Sequence, residues 1–298
     1  MDSGEFLPSD GGIGKPSRLP TTKFNEQVVI RRDVSPHRPL GSGFDRLARH
    51  YYWMECVLAG RTLQKCRTAF LEQTRNSNAA LLIGEGNGRF LAEFLKVNKT
   101  ATVVCIDSSS RMLQLARQRV CPGDRERVHF LQADLCGNST DCLQNQFTPG
   151  AFDLVVTHFF LDCFPPAQLE AIIEKIIGFT APHATWLLAD FRVPESGLAR
   201  TRAKAILWLA YTFFRIVTRL PAKRITPPDS FLKQHGFALE KRMICEHGLL
   251  HSDLWRVPAG VSRKTDLISQ VQTAERISLL SSSIIESASF GRSGKRLL

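Results

Sequence analysis

The short run Gly84-Glu85-Gly86-Asn87-Gly88 joins three glycines to an acid and an amide. Glycines so spaced let a backbone turn tightly and come close to a ligand. The apolar run Ala79–Ile83 precedes them as a buried strand would, and Phe90, Leu91, Phe94 and Leu95 follow at helical spacing. A strand–turn–helix unit of this kind presents free N–H groups and the positive end of a helix dipole, where a bound carboxylate would suit. Two acids extend the pattern. Asp107 ends the β-branched run Thr102–Ile106, and Asp134 follows the run Val128–Leu131. An acid at the first place can accept hydrogen bonds from both hydroxyls of a ribose, and one at the second can meet an adenine amino group. Together they describe an adenosine site at the switch point of a doubly wound sheet.

Two other nucleotide-binding patterns fit less well. In the GxGxxG fingerprint of nicotinamide dehydrogenases the third glycine falls one position later, where this chain has Arg89. A phosphate-binding P-loop would need a GKS or GKT that does not follow.

The elements that must hold these residues alternate along the chain. Strands are expected at Ala79–Ile83, Thr102–Ile106, Val128–Leu131, Phe152–Val156 and Ala184–Ala189. Helices are expected at Phe44–Met54 and Val57–Glu72, around Phe90–Leu95 and Met112–Ala116, and through Leu169, Ile172, Ile173, Ile176 and Ile177. Strands alternating with helices imply a parallel sheet with right-handed crossovers. Beyond Ala189 the rhythm changes. Leu198–Leu220 reads as a long basic and aromatic helix and Phe231–Gly236 as a helix end. Phe237–Cys245 and Leu249–Val257 then read as an antiparallel hairpin at the sheet edge.

With these elements in order, Ala80-Leu81-Leu82-Ile83-Gly84-Glu85-Gly86-Asn87-Gly88 resembles the first motif of class I S-adenosylmethionine-dependent methyltransferases. Cys105-Ile106-Asp107, Gln132-Ala133-Asp134-Leu135 and Phe152-Asp153-Leu154-Val155-Val156-Thr157 resemble the next three. The resemblance covers roughly residues 44–257. It implies an α/β, Rossmann-like, doubly wound seven-stranded sheet ending in a C-terminal antiparallel hairpin. It also implies S-adenosyl-L-methionine as cofactor, held by Gly84, Glu85, Gly86, Asn87, Gly88, Asp107, Ser108, Ala133, Asp134, Leu135 and Thr157. The family usually carries an acid two residues before the first glycine, where this chain has Leu82; Glu85 is a candidate for part of that role. Phe44-Asp45-Arg46-Leu47-Ala48-Arg49-His50-Tyr51-Tyr52 is similar to the N-terminal segment of ubiquinone and menaquinone type methyltransferases.

Methyl transfer is an in-line displacement, so alignment and exclusion of water supply much of the rate. A weakly acidic acceptor also needs a base. His158 and Asp162 follow the fourth strand, where an acceptor would sit, and are the candidate catalytic residues. His251 and Asp253 in the last strand are further candidates. No metal is expected. The apolar stretch Ala203–Leu220 carries Trp208, Tyr211, Phe213 and Phe214 between Arg200, Arg202, Lys204 and Arg215, Arg219, Lys223, Arg224. This composition suits a small, lipophilic, quinone-like acceptor and a peripheral contact with an anionic membrane. A helix packed on the core or at a dimer contact has the same composition. A nucleic-acid or protein methyltransferase and a non-catalytic cofactor-binding module stay open. The Asn-Pro-Pro-Tyr signature of base-amino methyltransferases is missing, the chain reading Leu161-Asp162-Cys163-Phe164-Pro165-Pro166.

The 298 residues and 43% apolar content suit one α/β domain with extensions. We expect a loosely attached segment over 1–40, a methyltransferase domain over 41–258 and a Ser- and base-rich tail over 259–298, with a short amphipathic helix at Ile277–Ile285. The net charge of +11 suggests acidic partners or a solvated basic surface. None of the eight cysteines forms a CxxC pair, and no secretory signal is visible, so a reducing, cytoplasmic setting is expected.

Overall fold

The computed structural model describes residues 60–135, 147–218 and 225–258, with main chain alone at residues 60, 61, 210, 211 and 213–218. The helix expected at Phe44–Met54, both tails, and Arg219, Lys223 and Arg224 lie outside the described residues.

Seven strands form one sheet: β1 (Ala79–Ile83), β2 (Thr102–Asp107), β3 (Val128–Gln132), β4 (Phe152–His158), β5 (Thr180–Phe191), β6 (Ala238–Cys245) and β7 (Leu250–Arg256), in the order β3-β2-β1-β4-β5-β7-β6. The first five run parallel, and β7 lies antiparallel between β5 and β6. The strand order reverses at β1, which pairs with both β2 and β4. The crevice of a doubly wound sheet opens at such a point, beyond the carboxyl ends of the strands.

Alternation along the strands divides the core. Leu81, Ile83, Val104, Ile106, Val155, Trp186, Leu188 and Trp255 share one apolar cluster with Leu169, Ile172, Ile173, Ile176 and Ile177 of helix α4 (Pro166–Phe179). Ala80, Leu82, Val103, Cys105, Leu154, Val156 and Leu187 pack on the other face against Phe90, Leu91, Phe94 and Leu95 of α2 (Arg89–Val97). With both faces covered, the strands are continuous apolar runs, as buried parallel strands must be. Helix α3 (Ser110–Arg119) follows β2, and its N-cap Ser109 accepts a hydrogen bond from the Met112 N–H.

A smaller cluster closes the β5–β7 end. Leu63 and Cys66 of α1 (Gly60–Arg67) and Ala203 and Leu207 of α5 (Gly197–Thr218) pack there with Ala189, Leu249 and Leu250. The short α6 (Asp229–Gln234) buries Leu232 in the α4-side core.

Two boundaries differ from expectation. The helix expected over Val57–Glu72 stops at Arg67 and resumes as a 3₁₀ turn, Leu71–Thr74. At the break the Thr68 hydroxyl bonds back to the Gln64 carbonyl at 2.9 Å, a local bond that competes with helix continuation. Strand β5 begins at Thr180, earlier than Ala184, because the exposed Pro182, which lacks an N–H for a ladder, and the exposed polar His183 mask its strand signal.

Candidate functional site

The three loop glycines serve different purposes. All have positive φ, at 65°, 65° and 81°, a region that other residues enter at a cost. A Cβ on Gly84 would lie 2.4 Å from the Phe160 ring, and one on Gly88 2.7 Å from Ala116 Cα. A Cβ on Gly86 would meet nothing within 4 Å. The outer glycines let the turn dock against its neighbours, and the middle one faces open space at the mouth of the crevice.

Asp107 ties the turn to β2. Its carboxylate accepts hydrogen bonds from the N–H groups of Gly86 at 3.0 Å and Ser109 at 2.8 Å. Glu85 turns inward and accepts from the N–H groups of Phe90 at 3.0 Å and Leu91 at 2.9 Å. The start of α2, expected to receive a ligand's carboxylate, is held by the chain's own. Burial raises the Glu85 carboxyl to about 7, against these two bonds and the nearby Arg67 charge. Arg67, buried at the end of α1, stacks over the Phe159 ring at 5.0 Å. Sequence reasoning missed Arg67 and Phe160. Only the fold brings them to the turn.

The other expected cofactor residues split into two groups. The half-buried Ser108 and Asp134 lie at the ends of β2 and β3, and the Ala133 N–H donates to the Asp107 carbonyl at 3.1 Å, drawing these ends together. Asn87, Leu135 and Thr157 are buried. The Asn87 carbonyl takes the Arg119 guanidinium at 2.7 Å, the Leu135 carbonyl takes Lys175 at 3.2 Å, and the Thr157 hydroxyl accepts from Trp186 Nε1 at 2.8 Å.

The candidate catalytic residues sit where β4 ends. His158 is buried edge-on against Phe90, ring centres 4.7 Å apart, and both its ring nitrogens lack a hydrogen-bond partner among the described residues. Burial, aided by Arg67, pushes its pKa down to about 3, so it is neutral at pH 7 and takes up a proton poorly. Phe159 follows with φ of 55°, a strained conformation for a bulky residue. That turn delivers Asp162, buried in the 3₁₀ turn Leu161–Cys163, with burial raising its carboxyl to about 6.

The remaining candidates complete a row across the sheet. Asp190 faces His251 across β5 and β7, and Asp253 faces Arg242 across β7 and β6. Arg242 holds Asp253 with bonds of 2.7 and 2.6 Å and reaches Asp229 at 2.8 Å. His251 Nδ1 lies 3.1 Å from Asp253. Arg242 thereby helps keep the Asp253 carboxyl below its ordinary range despite burial. Asp190 has no cation in support among the described residues. It is 2% exposed, its oxygens have only the Phe160 main chain and the Asp162 carboxyl beside them and no donor in full hydrogen-bond geometry, and burial beside Asp162 and Asp253 raises its pKa well above normal. Among the described residues no three His, Cys, Asp or Glu side chains are grouped to hold a metal ion.

Comparison with known proteins places this geometry. Residues 80–183 match the family model of a methyltransferase domain. No curated protein matches at a significant level. Among solved structures, an O-methyltransferase family protein from Burkholderia thailandensis superposes with a TM-score of 0.55 at 16% identity, over 72% of this chain and 61% of that one. The N-methyltransferase NodS from Bradyrhizobium japonicum, in complex with S-adenosyl-L-homocysteine, gives 0.53 at 14% identity over 74% of this chain and 100% of that one. A complex of the Haloferax volcanii Trm112 methyltransferase activator and a putative methyltransferase gives 0.54 at 11%, over 75% and 100%. At these identities the likeness is one of fold. This chain spans about three fifths of the length of the Burkholderia protein.

Proposed function

We propose that this chain, whose residues 80–183 match the model of a methyltransferase domain, is an enzyme that binds S-adenosylmethionine and passes its methyl group to a small, largely apolar acceptor. The observation that carries the reading is the turn itself. Gly86 faces open space, and the Gly86 N–H is fixed by Asp107, the acid that ends the next strand. The Asp107 carboxylate accepts two backbone N–H groups, which aim it along the crevice where a carboxylate can take ribose hydroxyls. Asp134 and Ser108 stand at the neighbouring strand ends, within the adenosine half of the site.

The donor supplies an activated methyl group on a sulfonium, and the chain's task is to align an acceptor with it and keep water out. The apolar packing of Phe159, Phe160 and Phe164 around the end of β4 suits that task. The test is calorimetry with S-adenosylmethionine, S-adenosylhomocysteine and NADH. Binding of the first two and not the third is expected. Heat with NADH alone would favour a dehydrogenase.

A lipophilic acceptor drawn from a membrane surface is supported by α5. This helix buries Ala203 and Leu207 against the domain while Trp208 and Leu209 stand 70% and 61% exposed. None of the described helices is long and apolar enough to cross a membrane, so the contact is peripheral. In sedimentation with anionic and neutral vesicles, we expect salt-sensitive binding to the anionic ones that falls when Trp208 becomes Ala. A protein that ignores anionic vesicles at low salt would remove the membrane from the reading.

A further inference from the structure

We propose that Asp190, with Asp162 beside it, is the docking site for the amine of the methyl acceptor, so that the reaction is N-methylation. This rests on the methyltransferase reading above and adds the acceptor atom to it.

The argument begins with what this row of side chains lacks. Asp190 stands one residue from the crevice end of β5, and Asp162 follows the end of the adjacent β4. Both are more than nine-tenths buried. A buried carboxylate is costly unless it is paired and hydrogen-bonded. Its neighbour Asp253 meets that requirement, with two bonds from Arg242, one from Trp255 Nε1 at 3.3 Å, and His251 at 3.1 Å. Arg242 is spent on Asp253 and Asp229 and leaves no charge for Asp190. Asp190 keeps two buried oxygens that meet no cation and no donor in full hydrogen-bond geometry among the described residues, opposite His251, with the Phe160 main chain and the Asp162 carboxyl beside them.

Such a group holds a proton or awaits a donor. Two crowded carboxyls keep one proton between them, because both cannot ionise in a buried space. The pair then carries a single negative charge. That charge selects among the nucleophiles a methyl donor can serve. An ammonium is attracted to it. A phenol or alcohol would have to shed a proton and become an anion beside a carboxylate, which the same charge opposes.

The step balances on the groups named. The acceptor ammonium gives one proton to the ionised member of the pair, leaving a neutral amine. The nitrogen lone pair attacks the donor methyl carbon, a C–N bond forms, the C–S bond breaks, and its electron pair stays on sulfur. The products are a methylated ammonium, a thioether and a fully protonated carboxyl pair. A carboxyl whose pKa is raised toward neutrality makes a better proton acceptor for an amine than an ordinary one.

Calorimetry on the full chain tests the proposal, with benzylamine and benzyl alcohol as probes of equal ring and different charge. Each is titrated into protein saturated with S-adenosylhomocysteine and into protein without it, so failure of cofactor binding reads out separately from failure of amine binding. Benzylamine is expected to bind roughly tenfold or more tighter than the alcohol, a difference of one kinetic or equilibrium decade. Asp190→Asn should erase the preference and leave S-adenosylhomocysteine affinity within roughly twofold, well under the 1.4 kcal/mol of a decade. Asp162→Asn, checked for folding by circular dichroism, should weaken the preference in the same direction and stands in if the first variant does not fold. Equal binding of amine and alcohol, no binding of benzylamine in either form, or a preference that survives both substitutions overturns the assignment.

Discussion

The two ends of the crevice satisfy their buried polar groups differently. Around the glycine turn Asp107 and Glu85 each accept two backbone N–H groups, and Arg119 caps the Asn87 carbonyl. Across the ends of β4, β5 and β7, among the described residues, the buried His158 nitrogens have no partner, and the Asp190 carboxyl has no cation, only the Phe160 main chain and the Asp162 carboxyl. The first end is built by the chain for itself and meets a ligand with a finished frame. The second end is unfinished in electrostatic terms, and an unfinished buried site is where a ligand or a proton contributes most.

The sharpest break of this contrast lies in the turn. Gly88→Val would force a side chain to within 2.7 Å of Ala116 Cα at φ of 81°. Left-handed strain and overpacking together should cost about 2–5 kcal/mol, read from the urea midpoint. Gly86→Ala, with open space at its Cβ, should cost only the backbone strain of about 1–2 kcal/mol. Equal losses at the two positions would mean that the middle glycine does not face the crevice.

Paired and unpaired acids should also respond oppositely. Asp253→Asn unpairs Arg242 and should destabilise by about 2–3 kcal/mol, below the full cost of a deeply buried pair because Arg242 is partly exposed. Asp190→Asn replaces a buried carboxyl that no cation among the described residues holds and should leave the midpoint unchanged or raise it. If Asp190→Asn proves the more damaging of the two, the group has a structural partner and the contrast fails.

At the cofactor end, Asp107→Ala should weaken S-adenosylhomocysteine by about 1.5–3 kcal/mol, the worth of hydrogen bonds to a charged group. A folded variant with unchanged affinity would remove the ribose assignment.

The smallest effect is a pH slope. Asp162 and Glu85 rise from 3.8 and 4.5 to about 6 and about 7, burial being the main cause in both. The folded state therefore binds their protons more tightly than the unfolded one. Their contribution is fully present below the unfolded values and is lost as pH rises through the folded ones. Buried His158, lowered from 6.5 to about 3, adds a rise over the same range, so the decline is read as a difference: the midpoint of Asp162→Asn minus that of the wild type should increase between about pH 4 and pH 6. A difference that stays flat or falls over this range would contradict the burial of Asp162.

Much of the paired end was legible in the sequence. The run Ala79–Ile83 ends where β1 does, Asp107 ends β2, and the closing hairpin pairs as its apolar runs suggest. Local periodicity carries that information, because each signal lies within one strand or one turn. The unpaired end was legible in part. His158, Asp162, His251 and Asp253 stand out as polar residues in apolar runs, yet Asp190, one residue beyond the run Ala184–Ala189, did not. Its position opposite His251 depends on β7 inserting between β5 and β6, a long-range pairing that no local pattern encodes. Burial then decides which of these residues hold protons, and it separates His158, pushed down to about 3, from Asp162, pushed up to about 6.

The account rests most on where the donor sits, and a crystal structure with S-adenosylhomocysteine bound measures that directly. The account predicts ribose hydroxyls on the Asp107 carboxylate, the main chain of Gly86 against the ligand, and the sulfur at the ends of β1 and β4. A ligand bound away from the Gly84–Gly88 turn, with no ribose hydroxyl on the Asp107 carboxylate, would contradict it.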